Sequence, residues 1–309
     1  MDSVICTLFE RDYHYGVGAL VNSLYEHGFR GTVYAGYRGD LPPWAAAARR
    51  ESRYSELAVA PGLVLRFVAL STQLHFMNYK PDFMLSLWDD YCPEAGAIFY
   101  FDPDILVQCR WSFFEEWIRC GVAVCADIIP SLPPDHPLRH AWREYFEPHG
   151  IRFIREQSIV FNAGFVGVSR QHSNFLQTWQ RLLQLMEPAI GGRQNVFVKD
   201  RTFLFHIPDQ DVFNAATMVC DEPVSSVGPD GMDFMPGVVS CIMSHAAGGV
   251  KPWNKKMLWS ALQGIPPRRA DKAFWKNVSA PIRLYSPWWQ GVKKLDLLAA
   301  SALGRYIHL

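Results

Sequence analysis

The 309-residue chain contains no run of about 18 uninterrupted apolar residues, so no transmembrane span is expected. Its first residues, Met1 to Thr7, contain neither the basic nor the hydrophobic segment of a secretory signal peptide. Its seven cysteines include no Cys-x-x-Cys pair, and the odd number argues against a complete disulfide framework. There is also no internal repeat and no clear linker. These absences predict a cytoplasmic protein with reduced thiols and one main domain.

The formal net charge of zero conceals an uneven distribution of charge along the chain. Residues 251–309 contain 11 Lys and Arg but only two acids, Asp271 and Asp296. Five of the 11 tryptophans lie in the same stretch. Basic residues mixed with tryptophan favour an anionic surface, either membrane headgroups or an acidic glycan. We therefore expect residues 256–309 to form a basic, Trp-rich, amphipathic C-terminal extension.

Strand-like and helix-like patterns alternate along the first half of the chain. This alternation predicts an α/β protein with a mostly parallel, Rossmann-like central sheet and flanking helices over residues 1–255. Strands are predicted at residues 4–9, 32–37, 63–69 and 122–126 and from Ile98, and helices at about 16–27 and 45–57 and from Pro81. In the less regular second half, the patterns predict strands at residues 158–168 and 237–244 and helices from about Ser173 and Asp209.

Asp102 and Asp104 follow the apolar run Ile98–Phe101, separated by one proline. The pattern predicts a buried strand whose end presents two acids. In open α/β sheets, ligands bind beyond the carboxyl ends of the strands. Two carboxylates there suit a divalent cation such as Mg²⁺ or Mn²⁺, and with it a phosphate. The alternative is an ordinary solvated turn, which Asp and Pro both favour.

His245 is predicted to lie at the end of another apolar strand and opens a glycine-rich segment. As a third ligand it would favour Mn²⁺ over Mg²⁺. Gly248 and Gly249 would let the backbone approach a phosphate closely, and Lys251 would bring a positive charge to a diphosphate. The alternatives are a structural histidine at a strand end and a lysine that belongs only to the basic tail.

Four motifs occur in a fixed order: Asp-x-Asp, Phe-Asn-Ala-Gly, Asp-Gln-Asp-x-x-Asn and His-x-x-Gly-x-x-Lys-Pro-Trp. With this order, residues 3–255 resemble the retaining glycosyltransferases of the glycogenin and bacterial lipopolysaccharide galactosyltransferase family. The resemblance implies a GT-A fold, a nucleotide-sugar donor that is usually UDP-linked, and Mn²⁺ as cofactor, with Mg²⁺ as the alternative ion.

The resemblance also assigns roles to individual residues. It implies that Asp102, Asp104 and His245 bind the metal, with Asp102 also near the ribose, and that Gly248 and Lys251 contact the diphosphate. It also implies that Asn162 contacts the sugar and that Asp209, Gln210 and Asp211 lie beneath the anomeric carbon. Thr7 would contact the nucleoside.

Two departures from the family leave donor contacts open. The run Thr7–Tyr13 replaces an Asp-Asp-Asn-Tyr-like run, so contacts to the base by Asp12 or Tyr13 are undecided. Lys80 stands where the family usually has Arg before the Asp-x-Asp strand, and Lys cannot reproduce the bidentate fork of Arg. Lys80 is retained as a candidate donor-binding residue.

The expected activity is transfer of a hexose to an acceptor hydroxyl with retention of anomeric configuration, in the synthesis of a surface polysaccharide or lipopolysaccharide. Retention would require either a nucleophile, for which Asp211 and then Gln210 are the candidates, or front-face attack without one.

The acceptor, whether a glycan, a lipid-linked sugar or a protein, stays open, and no nucleic-acid partner is expected. The alternatives are an inverting GT-A transferase and a catalytically silent nucleotide-sugar binder or scaffold. A phosphohydrolase is disfavoured because Leu106 stands where that class has Thr or Val.

The end of the chain has the periodicity of an amphipathic helix. Such a helix would lie on an anionic membrane, making the protein peripheral on its cytoplasmic face, or would pack on the domain core. Its predicted apolar face comprises Val292, Leu295, Leu298, Ala299, Ala302, Leu303 and Tyr306.

Overall fold

The structure, a computed structural model, describes residues 2–129, 132–235 and 242–304. The strands in this part of the chain are β1 (Ser3–Glu10), β2 (Gly31–Arg38), β3 (Arg49–Arg50), β4 (Ser55–Ala60), β5 (Leu63–Ala69), β6 (Ala97–Phe101), β7 (Ile105–Val107), β8 (Val122–Ala126), β9 (Phe161–Ser169), β10 (Val224–Val227) and β11 (Met243–His245). The α-helices are α1 (His14–Glu26), α2 (Lys80–Ser86), α3 (Trp111–Trp117), α4 (Pro137–Phe146), α5 (Asn174–Ile190), α6 (Pro208–Val219), α7 (Met257–Leu262), α8 (Arg269–Lys276) and α9 (Pro287–Leu303).

The chain divides into two compact units, each assembled from separate stretches of sequence. The first comprises Met1–Leu8, Leu70–Phe101 and Ser112–Pro229, and the second Phe9–Ala69, Asp102–Trp111 and Asp230–Leu309. The division into residues 1–255 and 256–309 that the sequence suggested stays a prediction.

The first unit contains five strands in the order β10-β8-β9-β6-β1. Strand β9 runs antiparallel to both of its neighbours, while β10 pairs with β8 and β1 pairs with β6 in parallel. Every residue of β6, β8 and β9 is buried. Strands buried on both faces are continuous apolar runs, and this is why Ala97–Phe101 could be recognised from sequence.

The second unit contains strands in the order β2-β5-β4-β3 and a separate two-stranded ribbon of β7 and β11. Strands β2 and β5 are parallel, and β4 is antiparallel to both β5 and β3. Among the described strands of each unit, only one strand of the larger sheet runs antiparallel to the others. The α/β class with a mostly parallel sheet, as the strand and helix alternation predicted, is therefore confirmed.

Most elements of the first half were predicted correctly. The helix predicted from Pro81 begins at Lys80, and Phe83, Met84, Leu87 and Trp88 are buried along it and the π-helical turn that follows. The helix predicted from about Ser173 is α5, and its apolar stripe of Phe175, Trp179, Leu182 and Met186 is fully buried because it packs on the rest of the first unit. Apolar spacing of 3.6 residues thus located the helices that cover the sheet.

The helix predicted at residues 45–57 is wrong. A short 3-10 turn at Pro43–Ala45 precedes β3 and β4, which form an antiparallel extension on β5. Alanines favour a helix locally, but backbone pairing with β5 outweighs that weak propensity. Helices α3 and α4 and strand β10 were not predicted, and α7 and α8 were not located individually within the C-terminal extension, which was predicted to be helical. Of the predicted strand at residues 237–244, the structure describes 242–244, and residues 236–241 lie outside the described part.

Candidate metal centre and acid cluster

The Asp-Pro-Asp turn is held in place by backbone pairing. The Ile105 N–H donates to the Asp102 carbonyl at 3.0 Å, which closes the turn between β6 and β7. Strand β7 pairs antiparallel with β11, with Ile105 opposite His245, and the Ala246 N–H donates to the Asp104 carbonyl at 3.0 Å. This register brings His245 beside two acids that precede it by about 140 residues in the sequence.

Helix α1 supports the same turn through a glycine. A Cβ atom added at Gly16 would lie 2.1 Å from the carbonyl oxygen of Pro103, well inside contact distance. Only glycine at this position lets the helix approach the turn so closely.

Asp102, Asp104 and His245 form one compact group of potential metal ligands. One ligand atom from each lies within 4.8 Å of the others. His245 Nε2 is 3.4 Å from Asp104 Oδ1 and 4.0 Å from Asp102 Oδ2. Asp104 and His245 are buried, whereas Asp102 is partly exposed. The structure thus brings together the three residues that the sequence predicted as metal ligands, and their binding of a metal stays a prediction.

The donor set of this group fits a divalent cation. Two carboxylate oxygens and one imidazole nitrogen converge on one point, and such mixed oxygen and nitrogen ligation suits Mn²⁺. The other ring nitrogen of His245, Nδ1, is buried without a hydrogen-bond partner in the described part of the chain. A metal-ligating histidine almost always donates its second ring N–H to a carboxylate, a carbonyl or water, and His245 departs from that pattern among the described residues.

Lys251 already balances the charge of this group. Its Nζ donates to Asp104 Oδ2 at 2.7 Å and to the Ala246 carbonyl at 3.0 Å. Burial alone would raise the pKa of Asp104, but His245 and Lys251 outweigh it and hold that pKa well below its usual range. Asp104 is therefore a carboxylate at neutral pH, as a metal ligand must be.

The segment after His245 combines an open backbone with an aromatic anchor. Gly248 and Gly249 both have left-handed φ angles, of 65° and 56°, and nothing lies within 4 Å of a Cβ at either position. The Trp253 indole N–H donates to Asp12 Oδ2 at 3.0 Å, and the Tyr13 ring packs edge-on against the Trp253 ring. The glycine segment is thus free to contact a ligand while its far end is fixed.

Asp12 is engaged within the protein. Besides Trp253, its Oδ2 accepts a hydrogen bond from the Asn254 side chain at 2.5 Å. The assignment of a base contact to Asp12 or Tyr13 stays a prediction. The clamp between Asp12 and residues 253–254 was missed from sequence, because the partners are separated by about 240 residues.

A second group of predicted site residues lies in the first unit, and we call Lys80, Asn162, Asp209 and Asp211 the acid cluster. Lys80 and Asp209 are almost completely buried; Lys80 Nζ donates to the Ala163 carbonyl at 2.8 Å and lies 3.4 Å from Asp209 Oδ2. The unusual lysine before Pro81 thus neutralises the first acid of the Asp-Gln-Asp motif. Gln210, the middle residue of the motif, is partly exposed.

The acid cluster is positioned by two asparagines. The Asn162 amide donates to Asp127 Oδ2 at 2.7 Å, and its oxygen accepts from the Gly164 N–H. Asn214 accepts from the Phe161 N–H and donates to the Phe161 carbonyl, which ties α6 to the start of β9. Asp127 and Asn214 received no role from sequence, although Asn214 ends the Asp-Gln-Asp-x-x-Asn motif.

Thr7 lies in the middle of β1 and is completely buried. Its hydroxyl has no hydrogen-bond partner among the described residues. Its predicted contact with a nucleoside stays a prediction.

Asp211 should make the stability of the chain depend on pH. Burial and the nearby Asp209 charge together raise the pKa of Asp211 from 3.8 to about 7, although the hydrogen bond from the Ile207 N–H lowers it. The folded chain therefore holds a proton that the unfolded chain releases near pH 3.8. The stabilisation that protonated Asp211 contributes is complete below pH 3.8 and is lost as pH rises through 7. Because Asn does not titrate, Asp211→Asn should not share this loss. Its unfolding free energy should rise relative to that of wild type by up to about 1.4 kcal/mol for each pH unit between about pH 4 and 7. Urea unfolding at several pH values measures this, and a difference that is constant over that range would contradict it.

Comparison with known proteins places this chain by its fold. No protein-family model and no curated protein matches the sequence. Among solved structures, the bifunctional glycosyltransferase WbbM matches with a TM-score of 0.55 and 15% identity, over 96% of this chain and 52% of WbbM. An active-site mutant of LgtC matches with a TM-score of 0.53 and 14% identity, over 93% of this chain and 99% of LgtC.

The glycosyltransferase GlyE of Streptococcus pneumoniae TIGR4 matches with a TM-score of 0.51 and 16% identity, over 97% of this chain and 64% of GlyE. This chain thus spans about half of WbbM and less than two thirds of GlyE, but nearly all of LgtC. Its fold is that of the GT-A glycosyltransferases, as predicted from the order of the motifs.

Proposed function

We propose that the protein is a metal-dependent glycosyltransferase that moves a hexose from a nucleotide diphosphate sugar, UDP-linked, to an acceptor hydroxyl with retention of configuration. The observation that carries this proposal is the meeting of Asp102, Asp104 and His245 beside Lys251. The glycosyltransferase fold supports it. Mn²⁺ is the ion that the two carboxylates and the imidazole favour.

The chemistry requires stabilisation of the departing diphosphate. Asp102, Asp104 and His245 would hold the ion, which would act as a Lewis acid on the leaving group. Lys251 would turn from Asp104 to a diphosphate oxygen, adding a charge-assisted hydrogen bond. The left-handed backbone at Gly248 and Gly249 leaves room for the diphosphate beside their N–H groups.

Retention requires either a nucleophile beneath the donor sugar or front-face attack. Sequence resemblance assigns the donor sugar to Asn162 and to Asp209, Gln210 and Asp211. An Asp211 whose pKa is raised to about 7 is half-protonated near neutral pH, so it is a weaker nucleophile than an ordinary carboxylate. This favours the front-face route over double displacement through Asp211.

The donor and the stereochemistry can be tested together. Nucleotide sugars that differ in base and hexose are screened with Mn²⁺ by thermal shift, because a ligand that binds only the native state raises its stability. The donor that shifts the midpoint is then used for turnover, and NMR gives the anomeric configuration of the product. A product of inverted configuration identifies the inverting alternative. Binding without release of nucleoside diphosphate identifies the catalytically silent alternative.

Lys251→Met should separate diphosphate binding from metal binding. We expect the affinity for UDP in the presence of Mn²⁺ to fall roughly ten- to a hundredfold, since a hydrogen bond to a charged group contributes about 1.5–3 kcal/mol. Affinity for Mn²⁺ alone should hold or rise, because Lys251 competes with the ion for Asp104. Calorimetric titration measures both, and an equal loss of both affinities would show that Lys251 serves the metal site itself.

A further inference from the structure

Helix α9 carries its apolar residues on the side that faces solvent. Trp288, Leu295 and Leu298 are 72%, 68% and 65% exposed, whereas the buried residues of the helix are Gln290 and Ala300. With 3.6 residues per turn, the three apolar residues share one side and the two buried residues lie on the other. A surface helix of a globular protein normally turns its apolar stripe towards the core. This orientation is therefore reversed in α9.

Helix α7 and the residues that follow it place a second row of apolar side chains beside α9. The Leu258 N–H donates to Asp296 Oδ1 at 3.0 Å, and Pro266 packs directly against Gly304. These two contacts align residues 258–266 with residues 296–304. We call the exposed residues of both rows the apolar platform: Trp259, Leu262, Ile265, Trp288, Leu295 and Leu298.

The charges around the apolar platform are predominantly basic. Both acids of residues 251–309 are paired: Asp271 with Lys255 at 2.7 Å and Asp296 with Lys293 at 3.8 Å. Lys294, at the margin of the apolar side of α9, and Lys256, directly before α7, are both exposed. The surface that surrounds the platform therefore favours an anionic partner.

We propose that the apolar platform docks on an anionic lipid bilayer. A 17-residue helix is about 25 Å long and would lie in the plane of the membrane, with its apolar side among the headgroups and the first acyl carbons. Tryptophan is enriched at this depth, and lysines beside it attract anionic headgroups. No helix in the described residues is long and apolar enough to cross a membrane.

A second copy of this chain fits the same surface less well. Two copies in contact would bring together two segments that each contain 11 basic residues and two acids, and like charges repel. An anionic bilayer removes this repulsion and also covers the apolar residues. The exposure and charge of residues 251–304 favour this docking independently of the proposed catalytic activity.

The test is flotation of the full chain with vesicles of phosphatidylcholine, with and without phosphatidylglycerol. We expect binding to the anionic vesicles only. Leu295→Glu combined with Leu298→Glu should weaken it at least tenfold, because both substitutions place a carboxylate in the apolar layer. Lys294→Gln should weaken it about fivefold. Phe197→Glu is the matched control, since Phe197 is 61% exposed in the first unit, and it should leave binding unchanged.

Thermal melting confirms that the variants, all at exposed positions, remain folded. Unchanged flotation of the Leu295→Glu, Leu298→Glu variant would overturn the proposal, as would equal binding to neutral vesicles. It is likewise overturned if the chain binds an acidic polysaccharide but no vesicle. Sedimentation velocity adds a further check, because a dimer that these two substitutions dissociate would assign the platform to a second copy.

Discussion

Replacement of Asp104 by Asn is expected to lower metal-dependent turnover of the nucleotide sugar by about a thousandfold. The carboxylate of Asp104 is buried and lies 3.4 Å from His245 Nε2 and 2.7 Å from Lys251 Nζ. An amide removes one anionic ligand and one negative charge from the site. A bound ion supplies several kcal/mol of transition-state stabilisation, and each 1.36 kcal/mol corresponds to a factor of about ten in rate.

Asp271→Asn is the matched control for this substitution. Asp271 is as buried as Asp104, belongs to the same unit and is paired with Lys255 at the same distance of 2.7 Å. We expect it to lower the free energy of unfolding while leaving the affinity for Mn²⁺ intact. Manganese binding, followed by paramagnetic resonance, and turnover are measured for both variants. If both variants retain the wild-type affinity for Mn²⁺, the assignment of Asp104 as a metal ligand is wrong.

Lys80→Met is expected to destabilise the chain by about 3–5 kcal/mol. Both side chains of the Lys80–Asp209 pair are at most 3% exposed, and the substitution leaves the Asp209 charge buried without this cation. Breaking a buried ion pair from one side is costly because the remaining charge is still desolvated. Adding Asp209→Asn to Lys80→Met should therefore restore part of the lost stability. Urea unfolding of the two single variants and the double variant gives the coupling free energy.

An exposed ion pair on the same chain provides the comparison. Lys276 and Glu26 approach to 2.7 Å, closer than Lys80 and Asp209, but their side chains are 60% and 43% exposed. Lys276→Met should change the unfolding free energy by less than about 1 kcal/mol, since solvent screens such pairs. If Lys80→Met and Lys276→Met lower the unfolding free energy by similar amounts, burial does not determine the strength of the Lys80–Asp209 pair.

The sequence contained enough information to locate the three candidate metal ligands because each follows or ends a short apolar strand. Asp102 follows β6 and His245 ends β11, so the ends of elements that are recognisable locally supply the site. What it could not supply was the pairing of β7 with β11, which sets the distances between the ligands. Pairing of strands far apart in sequence leaves no local pattern, and the same limit hid the Asp12 clamp on Trp253.

The wrong helix at residues 45–57 has a related cause. Local alanine content favours a helix by only tenths of a kcal/mol per residue, less than the pairing of β4 with β5 contributes. Of the predicted apolar face of the C-terminal helix, Val292, Leu295 and Leu298 lie at exposed positions of α9, and Tyr306 lies outside the described residues. Periodicity identified the apolar face of α9 but not whether it is exposed or covered. The neighbouring apolar row comes from α7 and the residues after it, and the packing of that segment beside α9 leaves no local pattern in the sequence.

Release of nucleoside diphosphate from a nucleotide sugar by the full chain, in Mn²⁺ and in a chelator, tests the central claim most directly. We predict release that requires Mn²⁺, is abolished by the chelator, returns when Mn²⁺ is restored, and is lost in Asp104→Asn. Release at the same rate in the chelator would contradict a metal centre at Asp102, Asp104 and His245. The absence of release with every nucleotide sugar and acceptor would contradict the transferase activity itself.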